Sequence, residues 1–549
     1  MAPVPSPSPP APPSWRRLVA PVLLGLASSV LILGASTYPG RWFPASRQGK
    51  WFFAAPILGS AGLGPWVAFT AYFGGTALLG VAWMWLLRAI ARVGCPILVV
   101  VAVFALWAAP LAVGPPIGSD DAISYAAAGR LVEKGYDPYE VGIIALGPAA
   151  PVVRAASPIW YETPQPYGPL YLRVADAATR LGGTSFRSTL MLLRLAGLVC
   201  LTLLAFPLSA LARRCGRSPS VVVAAVLCSP LVLVHLVGGV HNEAVMLLPL
   251  VTGAAVGAAG LGAAGAVAGS DDNSRDDAPG PAPDAAPERV RWGLVLAGVV
   301  LCGVASTVKA PAMVGAAVLG WLAAPRGDLR RQLVGSAAAT VVAAATVVVV
   351  GLATGLGLGW LHNLDVPQRI TTTLSPFNSV GVLVMNGLLH LGWTVHPVDG
   401  FRAAGLVIGL TAAAACVMRA DRLGLPVALG AALLVLAVTT PVVWVWYLTW
   451  GIVFIALRGL PVGMQVAVVV LNFTVTPLGP GTLDVNNHPT VSALFVVAVT
   501  TALVAAAVRR GWGRPQWGRP QRGPERPPEQ GDGPGVDMAG RAEPSRSSG

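Results

Sequence analysis

The sequence predicts an all-α integral membrane protein, a polytopic bundle whose helices cross the bilayer many times. Hydrophobic residues make up 54% of the chain and charged residues only 11%, and the mean hydropathy is +0.67. A soluble globular protein carries charge on about a quarter of its residues. This chain therefore has too little charge to cover a water-facing surface, and lipid must surround much of it. Its hydrophobicity also excludes a disordered chain, which combines low hydrophobicity with high net charge.

Apolar runs of about 20 residues, the length of helix that crosses a bilayer, recur along the chain. The first, 18–36, is longer than the apolar core of a signal peptide, which has about 7–15 residues, so we expect a retained first helix. Further runs of spanning or near-spanning length lie near 66–87, 95–114, 189–211, 220–238, 244–268, 293–308, 311–325, 333–356, 403–418, 424–440, 442–457, 461–478 and 490–508. The apolar segment 379–395 breaks the inside–outside alternation, so we expect it to be re-entrant or interfacial. The sequence thus predicts roughly 12 to 15 membrane-spanning helices.

The basic residues, which give the chain a formal charge of +13 and a pI near 10.0, gather in short clusters between the apolar runs. The clusters are Arg16 and Arg17, Arg88 and Arg92, Arg213, Arg214 and Arg217, Arg326, Arg330 and Arg331, Arg419 and Arg422, and Arg509 and Arg510. Loops rich in Arg and Lys stay on the cytoplasmic side during insertion. This placement predicts a multi-pass protein of the cytoplasmic membrane that contacts lipid and has no nucleic-acid partner. It also places the long segment 115–188 on the external face.

The same alternation divides the chain into a membrane domain, residues 16–508, and three segments expected on the cytoplasmic side. Residues 1–15 are rich in Pro, Ser and Ala, and residues 509–549 are basic and repeat the sequence WGRPQ, so we expect two disordered tails. The low-complexity segment 270–291 is expected to be a cytoplasmic linker.

Asp120 and Asp121 stand at the start of the external loop 115–188, directly after the third apolar run. The sequence SDDAISYAAAGRLVEKGYDPY predicts a short amphipathic helix that lies in the membrane interface and ends at Gly135. One carboxylate has the position of an N-cap. Two adjacent carboxylates exceed what a cap needs, and a carboxylate in a partly desolvated site can take a proton from an attacking hydroxyl. The sequence leaves open which aspartate has which role.

Lys309 stands in an apolar stretch, ASTVKAPAMV, toward the outer side of the membrane. A bare ammonium is costly there, so it needs an anionic partner, a polar cavity or headgroups that its stem can reach. A cation at this position is suited to hold a departing phosphate. Arg194 lies one or two turns inside the apolar run 189–211, and it could hold a phosphate in the same way. Phosphate binding and snorkelling to the headgroups both stay open.

Two further groups lie at predicted membrane boundaries. His241 and Asn242, followed by a glutamate, bring three polar side chains to one boundary and suggest contacts to sugar hydroxyls. The segment PVVWVWYLTW, which includes Trp446, is either an aromatic belt at the membrane interface or a platform for stacking sugars or an isoprenoid. No spacing requires a metal ion or another cofactor, although a divalent cation is compatible with the paired aspartates.

Taken together, these segments resemble the actinobacterial polyprenol-phosphomannose-dependent α-1,6-mannosyltransferases, membrane enzymes of the GT-C glycosyltransferase fold. The matching stretches occur in the family's order and cover about residues 110 to 480. They are SDDAISYAAAG at 119–129, KGYDPY at 134–139, TPQPYGPLY at 163–171, SPLVLVHLVGGVHNEAVM at 229–246, STVKAPA at 306–312, TLSPFNS at 373–379 and VVWVWYLTW at 442–450.

The resemblance implies a GT-C-type bundle that transfers mannose from a polyprenyl monophosphate donor to a lipid-anchored α-1,6-mannan outside the membrane. The family's catalytic aspartate corresponds to Asp121, the aspartate followed by Ala-Ile-Ser-Tyr, with Asp120 as the second candidate. Conversion of a β-phosphate donor to an α-glycoside implies a single inverting displacement with that aspartate as base. The residues expected to bind the substrates are Lys309 and Arg194 for the carrier phosphate, and His241, Asn242, Tyr167 and Trp446 for donor or acceptor.

Two other functions use the same features. Another transferase that takes its sugar from a polyprenyl phosphate, such as an arabinosyl or protein O-mannosyl transferase, shares the fold and the carrier, and the sugar is chosen by pocket shape. A lipid or sugar transporter would also be polytopic and basic. A transporter more often has internal repeats and charged residues at mid-membrane, whereas the polar groups here gather at one face.

Overall fold

The computed structural model describes residues 15–37, 65–262, 290–369 and 375–474. Every regular element in these ranges is a helix, and strands are absent from them. The all-α prediction is confirmed. The long uncharged runs lie in lipid, where no water is present to bind the backbone. A helix satisfies every backbone N–H and C=O group within the run itself.

The chain begins with three helices that pack together, α1 (Arg16–Ser36), α2 (Pro65–Val93) and α3 (Ile97–Val113). Trp107 of α3 is fully buried, and its indole N–H donates to the Val22 carbonyl of α1 at 2.9 Å. Pro110 inside α3 and Pro21 inside α1 are tolerated because neighbouring helices cover the freed backbone groups.

The predicted external loop forms a compact helical lobe between α3 and the next long helix. Its helices are α4 (Asp121–Glu133), α5 (Pro151–Ala155) and α6 (Pro169–Gly182), with short 3-10 turns at Ile143–Leu146 and Pro158–Trp160. The helix expected to lie in the interface is α4, and residues 122–129 of it are all buried against neighbours that include α6. Its alanine-rich sequence explains this burial, because small side chains let surrounding helices approach on every side.

The central part of the bundle consists of α7 (Phe186–Arg214), α8 (Pro219–Leu227) and α9 (Glu243–Leu261). A π-helical segment, Leu231–Gly238, follows α8 at an angle of 54°. Pro230 stands at this bend, and proline is a regular cause of helix kinks.

The second half of the described chain continues with helices of unequal length. They are α10 (Trp292–Ser306), α11 (Val314–Ala323), α12 (Leu329–Ala353), α13 (Pro376–His390), α14 (Val398–Met418), α15 (Ala420–Leu423), α16 (Leu425–Thr439), α17 (Thr449–Ile455) and α18 (Val462–Thr474). Short 3-10 segments lie at Ala310–Met313, Gly359–Arg369, Val445–Leu448 and Ala456–Arg458.

Six helices in the described residues are long and apolar enough to cross a membrane, and the bent pair around Pro230 makes a seventh candidate. Six more apolar helices have 10–17 residues, because glycine and proline divide several of the predicted runs. The total of 12 to 15 spans stays a prediction. Part of the run 461–478, all of 490–508, the tail 509–549, and nearly all of the tail 1–15 and the linker 270–291 lie outside the described residues.

The bundle has two chemically different ends. At one end of α9 stands Glu243; near its other end, the carbonyls of Ala258 and Ala259 accept hydrogen bonds from Arg214 and Arg291. Because α9 has 19 residues, its ends are separated by about 28 Å, roughly the thickness of a bilayer's hydrocarbon core. One end of the bundle is therefore rich in arginine, and the opposite end carries the polar residues described next.

Candidate active site

Asp121 is the first residue of α4, in a helix start arranged by its neighbours. Asp120 occupies the N-cap position but makes no capping hydrogen bond with its side chain. The Ser119 hydroxyl instead accepts a hydrogen bond from the Asp121 N–H at 3.1 Å. The capping role that the sequence left open for Asp120 is thus not the one it has.

Two backbone contacts bring distant parts of the chain to Asp121. The Ile117 N–H donates to the Gly238 carbonyl at 3.1 Å, which ties the start of the helical lobe to the segment before His241. The Gly168 N–H faces the Val308 carbonyl at 3.4 Å, which ties TPQPYG to the break before Lys309. A β-carbon on Gly168 would collide with the Thr307 carbonyl, so only glycine permits this approach.

Arg194 holds the same junction from inside the protein. Its guanidinium donates to the carbonyls of Ala112 at 2.7 Å, Gly114 at 2.8 Å, and Val237 and Gly238 at 3.0 Å each. These four carbonyls end α3 and the π-helical segment, where backbone groups lack intrahelical partners. The structure therefore gives Arg194 a backbone-fixing position, and the donors expected to hold a phosphate are occupied by carbonyls.

His241 faces Asp121 across this junction. Its Nδ1 lies 3.8 Å from the Asp121 carboxylate, and its ring stacks on the Trp446 indole with centroids 3.7 Å apart. Burial, with His235 and Lys309 nearby, holds the pKa of His241 well below its usual range, so the imidazole is neutral. Val240, just before it, has φ of 59°, a strained conformation for a β-branched residue. Such strain is found where a site over-determines the backbone.

Lys309 lies in a break between α10 and α11, where Pro311 prevents the helix from continuing. Its ammonium forms an ion pair with Glu243, whose side chain is fully buried. It also lies 4.3 Å from the ring centroid of Tyr447, 5.6 Å from that of Trp450 and 6.0 Å from that of Tyr167. These distances permit cation–π attraction. Lys309 therefore has a buried anionic partner and an aromatic cage, and the snorkelling alternative does not describe it.

The aromatic segment at 444–450 contributes to this cage and to the His241 stack. Trp444 stacks on Trp446 at 5.0 Å, and Tyr447 stacks on Trp450 at 4.4 Å. Trp446 is 1% exposed, so it contacts protein groups and not the lipid headgroups of an interfacial belt.

Tyr167 joins the cage to α4. Its ring meets the ring of Tyr125 edge to face at 5.0 Å, and Tyr125 in turn contacts Tyr171 at 5.0 Å. Tyr125 follows Asp121 by four residues and so shares its helix face. Burial raises the pKa of Tyr125 and Tyr167 well above 10, so both phenols are neutral.

The carboxyl group of Asp121 has the electrostatics of a base that works near neutral pH. Burial, together with the charges of Glu243 and Asp120, raises the pKa of Asp121 to about 7. Lys309 and a hydrogen bond with Ser119 oppose this change. A carboxyl with such a pKa can both accept and release a proton at physiological pH.

Several buried polar groups beside the site have no hydrogen-bond partner among the described residues. They include both ring nitrogens of His241, the amide of Asn242, the amide of Gln165, the second carboxylate oxygen of Glu243, and the indole nitrogens of Trp446 and Trp450. Buried polar atoms are normally paired, so each unpaired group marks a position where a ligand or water can bind.

The structure thus brings together five of the predicted residues: Asp121, His241, Lys309, Tyr167 and Trp446. Asn242 stands beside them at the start of α9, and Asp120 borders Asp121. The sequence reasoning missed the ion pair of Glu243 with Lys309 and the cage formed by Tyr447 and Trp450. A buried lysine requires a counter-charge, and the glutamate after His241-Asn242 was the available signal.

No group of three or more His, Cys, Asp or Glu side chains in the described ranges is close enough to hold a metal ion.

The helical bundle brings a partly buried carboxylate, a caged cation and unpaired polar groups together, an arrangement that fits a membrane enzyme of the glycosyltransferase class. The profile described as "Alpha-(1->6)-mannopyranosyltransferase, N-terminal domain" matches residues 22–325, more than half of the chain. The chain belongs to this family of α-1,6-mannopyranosyltransferases.

Individual relatives agree with this assignment. The chain is 30% identical to an alpha-(1->6)-mannopyranosyltransferase of Mycobacterium tuberculosis, over 73% of this chain and 72% of the relative. It is 30% identical to a probable alpha-(1->6)-mannopyranosyltransferase of Mycolicibacterium smegmatis over 77% of each chain. Alpha-(1->6)-mannopyranosyltransferase B of Corynebacterium glutamicum is 29% identical over 64% of this chain and 58% of the relative. No solved structure matches the chain.

Proposed function

We propose that this protein transfers mannose from a polyprenyl monophosphate donor to a lipid-anchored α-1,6-mannan, with Asp121 as the base. The observation that carries the proposal is the placement of the Asp121 carboxylate, whose pKa burial raises to about 7, in the same junction as the caged ammonium of Lys309. The names of the relatives, α-1,6-mannopyranosyltransferases, support mannose as the sugar and a mannan as the acceptor.

The proposed reaction is a single displacement. Asp121 takes the proton from an acceptor hydroxyl while the hydroxyl oxygen forms a bond to the anomeric carbon of mannose. The bond from that carbon to the phosphate oxygen breaks, and the polyprenyl phosphate leaves with the electron pair. Attack opposite the leaving group converts a β-phosphate into an α-glycoside.

Lys309 is the group best suited to hold the departing phosphate. Its cage leaves the lysine side chain 11% exposed, so the ammonium is fixed and still reachable. A preorganised cation in a desolvated site stabilises developing negative charge more strongly than one in water. Glu243 keeps Lys309 in this position, and the two charges together spare the site an uncompensated buried cation.

His241 and the unpaired amides have supporting roles in the proposal. The neutral imidazole of His241, stacked on Trp446, lies beside the Asp121 carboxylate, and its unpaired ring nitrogens can bind a hydroxyl of the substrate. Asn242 and Gln165 offer donors and acceptors that sugar hydroxyls can satisfy. Trp446 supports His241 and is itself covered by His241 and Trp444, whereas Tyr167, beside Lys309, offers a ring that the substrate can contact.

The distribution of arginine supports a site on the external face of the cytoplasmic membrane. α10 begins directly after Arg291 and ends three residues before Lys309, and α16 begins three residues after Arg422 and ends before Trp446. Each helix thus has arginine at one end and the candidate site at the other. Since arginine-rich ends stay in the cytoplasm, the site faces outward, where a lipid-anchored glycan can reach it.

The test is an assay with membranes that contain the protein, radiolabelled polyprenyl phosphomannose and short α-1,6-mannoside acceptors. Wild type should extend the acceptor, and Asp121→Asn should not, while Asp120→Asn is the matched control and should retain activity. Full activity of Asp121→Asn would remove the proposed base. Transfer only from a polyprenyl phosphoarabinose, or only to a peptide, would replace the donor or acceptor in the proposal.

A further inference from the structure

The arginine-rich end of the bundle contains a groove far from the candidate active site. It has a volume of about 920 Å³ and lies between the first halves of α10 and α12, with the end of α11 between them. Its walls are mostly apolar, from Val295, Leu296 and Val299 on one side to Val334 and Val342 on the other. Pockets of about 300–1,000 Å³ bind ligands of substantial size.

The groove opens toward lipid. α12 is the least buried of the long helices in the described chain, with only 11% of its most apolar window inside the protein. Val334 is 61% exposed, and Trp292, at the groove entrance, is 64% exposed. An exposed tryptophan at a helix start near arginines is typical of the boundary between acyl chains and headgroups.

The entrance of the groove is positively charged. Arg330 lines it and has no ion-pair or hydrogen-bond partner among the described residues. Arg331 also lines it, but its charge is shared with Asp328 at 3.2 Å. An apolar channel with a free guanidinium at its entrance matches a molecule that has hydrocarbon chains and one anionic head.

We propose that this groove binds an anionic phospholipid of the leaflet at the arginine-rich end, with acyl chains between α10 and α12 and the phosphate at Arg330. Basic recesses between transmembrane helices attract such headgroups. The alternative to be tested is the acidic segment 270–289, because its sequence has six carboxylates against two arginines. Its Pro, Ala and Gly residues, however, offer little apolar surface to fill the groove. The proposal depends on membrane insertion and not on the reaction proposed above.

The experiment measures binding of phosphatidylglycerol and phosphatidylcholine to the purified full chain in neutral detergent, by native mass spectrometry across a lipid titration. Wild type should prefer phosphatidylglycerol. Arg330→Gln should weaken phosphatidylglycerol binding about fivefold and leave phosphatidylcholine unchanged. Arg154→Gln is the matched control, because Arg154 is exposed in the helical lobe, and it should change neither.

Two further variants test the charge and the shape separately. Asp328→Asn should strengthen phosphatidylglycerol binding, because Arg331 loses its partner while asparagine can still cap α12. Gly293→Leu should reduce binding of both lipids, because a β-carbon on Gly293 meets no atom within 4 Å and the new side chain fills the groove without a clash.

Equal binding of both lipids by wild type, or an unchanged preference in Arg330→Gln, would overturn the proposal. So would undiminished lipid binding in Gly293→Leu. A third outcome concerns the segment 270–289. If phosphatidylglycerol binds only after the carboxylates of this segment are replaced by amides, the segment and not a lipid is the occupant of the groove, and the proposal is wrong.

Discussion

Replacing Glu243 by glutamine should lower the pH at which the enzyme loses activity in acid. As the proposed base, Asp121 must be ionised to take a proton, and burial raises its pKa to about 7, so we expect half of the full activity near neutral pH. Glu243 raises the pKa of Asp121, whereas Lys309 lowers it. Glutamine removes the negative charge and keeps the volume. The ammonium of Lys309 then acts on Asp121 without a competing carboxylate, and the pKa of Asp121 falls.

The size of the change follows from the charge that is removed. A neighbouring charge changes a carboxyl pKa by about 1 to 3, and the charge of Glu243 acts on Asp121 more weakly than that of Lys309. Since burial is the largest cause and stays in place, we expect the lower end, a midpoint near pH 6. At pH 6 the ionised fraction of Asp121 then rises from about one tenth to about one half, so the rate relative to its own alkaline plateau increases about fivefold.

The assay is the dependence of kcat/KM on pH between 5 and 9, with polyprenyl phosphomannose and a short mannoside. The midpoint separates the two effects of the substitution, because removal of the Glu243 charge lowers it, whereas displacement of Lys309 would raise it and lower the plateau. Lys309→Met should move the midpoint to higher pH. Glu140→Gln makes the same chemical change on an exposed carboxylate of the helical lobe and should leave the midpoint in place.

A midpoint that stays near 7 or rises in Glu243→Gln would show that the Glu243 charge does not act on Asp121. Equal midpoints in Glu243→Gln and Lys309→Met would refute the electrostatic reasoning as well, since the two charges have opposite signs.

Three other perturbations have distinct expected outcomes. Because its folded-state pKa of about 7 lies above the ordinary 3.8, Asp121 favours the folded state below about pH 4, and this contribution is lost as the pH rises through 7. Asp121→Asn should therefore be more stable than wild type at pH 8, by up to about 4 kcal/mol, and thermal unfolding at pH 5 and pH 8 should give a larger difference at pH 8. Arg194→Lys should lower stability by about 3 kcal/mol, because an ammonium cannot reach four carbonyls in two segments, and the thermal midpoint in detergent measures it. Gln165→Leu should unfold at the same temperature as wild type or higher, since it removes a buried amide without a partner, while KM for the acceptor rises about tenfold. Loss of stability together with loss of activity would make Gln165 structural.

Sequence reasoning found much of the site because polar residues are conspicuous in an apolar chain. Asp121, His241 and Lys309 each stand at the end of an apolar run, where a polar side chain is costly unless it has a task or a partner. The prediction of helices throughout was equally direct, since a chain with 11% charged residues has few other ways to satisfy its backbone.

Pairings between distant segments could not be predicted in the same way. Arg194 has the same sequence context as a phosphate-binding residue, an isolated cation near a membrane boundary. Its actual partners, among them the carbonyls of Ala112 and Val237, are separated from it by 82 and 43 residues. Every residue has a backbone carbonyl, so the sequence does not indicate which carbonyls lack a donor. The three-dimensional structure shows this, because it shows which helix ends lie together. The division of apolar runs into shorter helices could not be predicted for a similar reason. A proline marks the position of a break in the sequence but does not give the angle between the two helices.

Those helix ends also explain why the chemistry lies where it does. Asp121, His241, Lys309 and Trp446 come from four separate places where helices begin or end, and each leaves backbone N–H and C=O groups without intrahelical partners. Arg194 satisfies some of these groups, and the remaining polar surface lowers the cost of adding a carboxylate, an ammonium and unpaired amides at the same place. In the middle of a helix the backbone N–H and C=O groups are already paired. A buried charge placed there would need a side-chain partner of its own. The same reasoning connects the two ends of the bundle, because helices that begin beside arginines bring their opposite ends, about one bilayer thickness away, to a common junction.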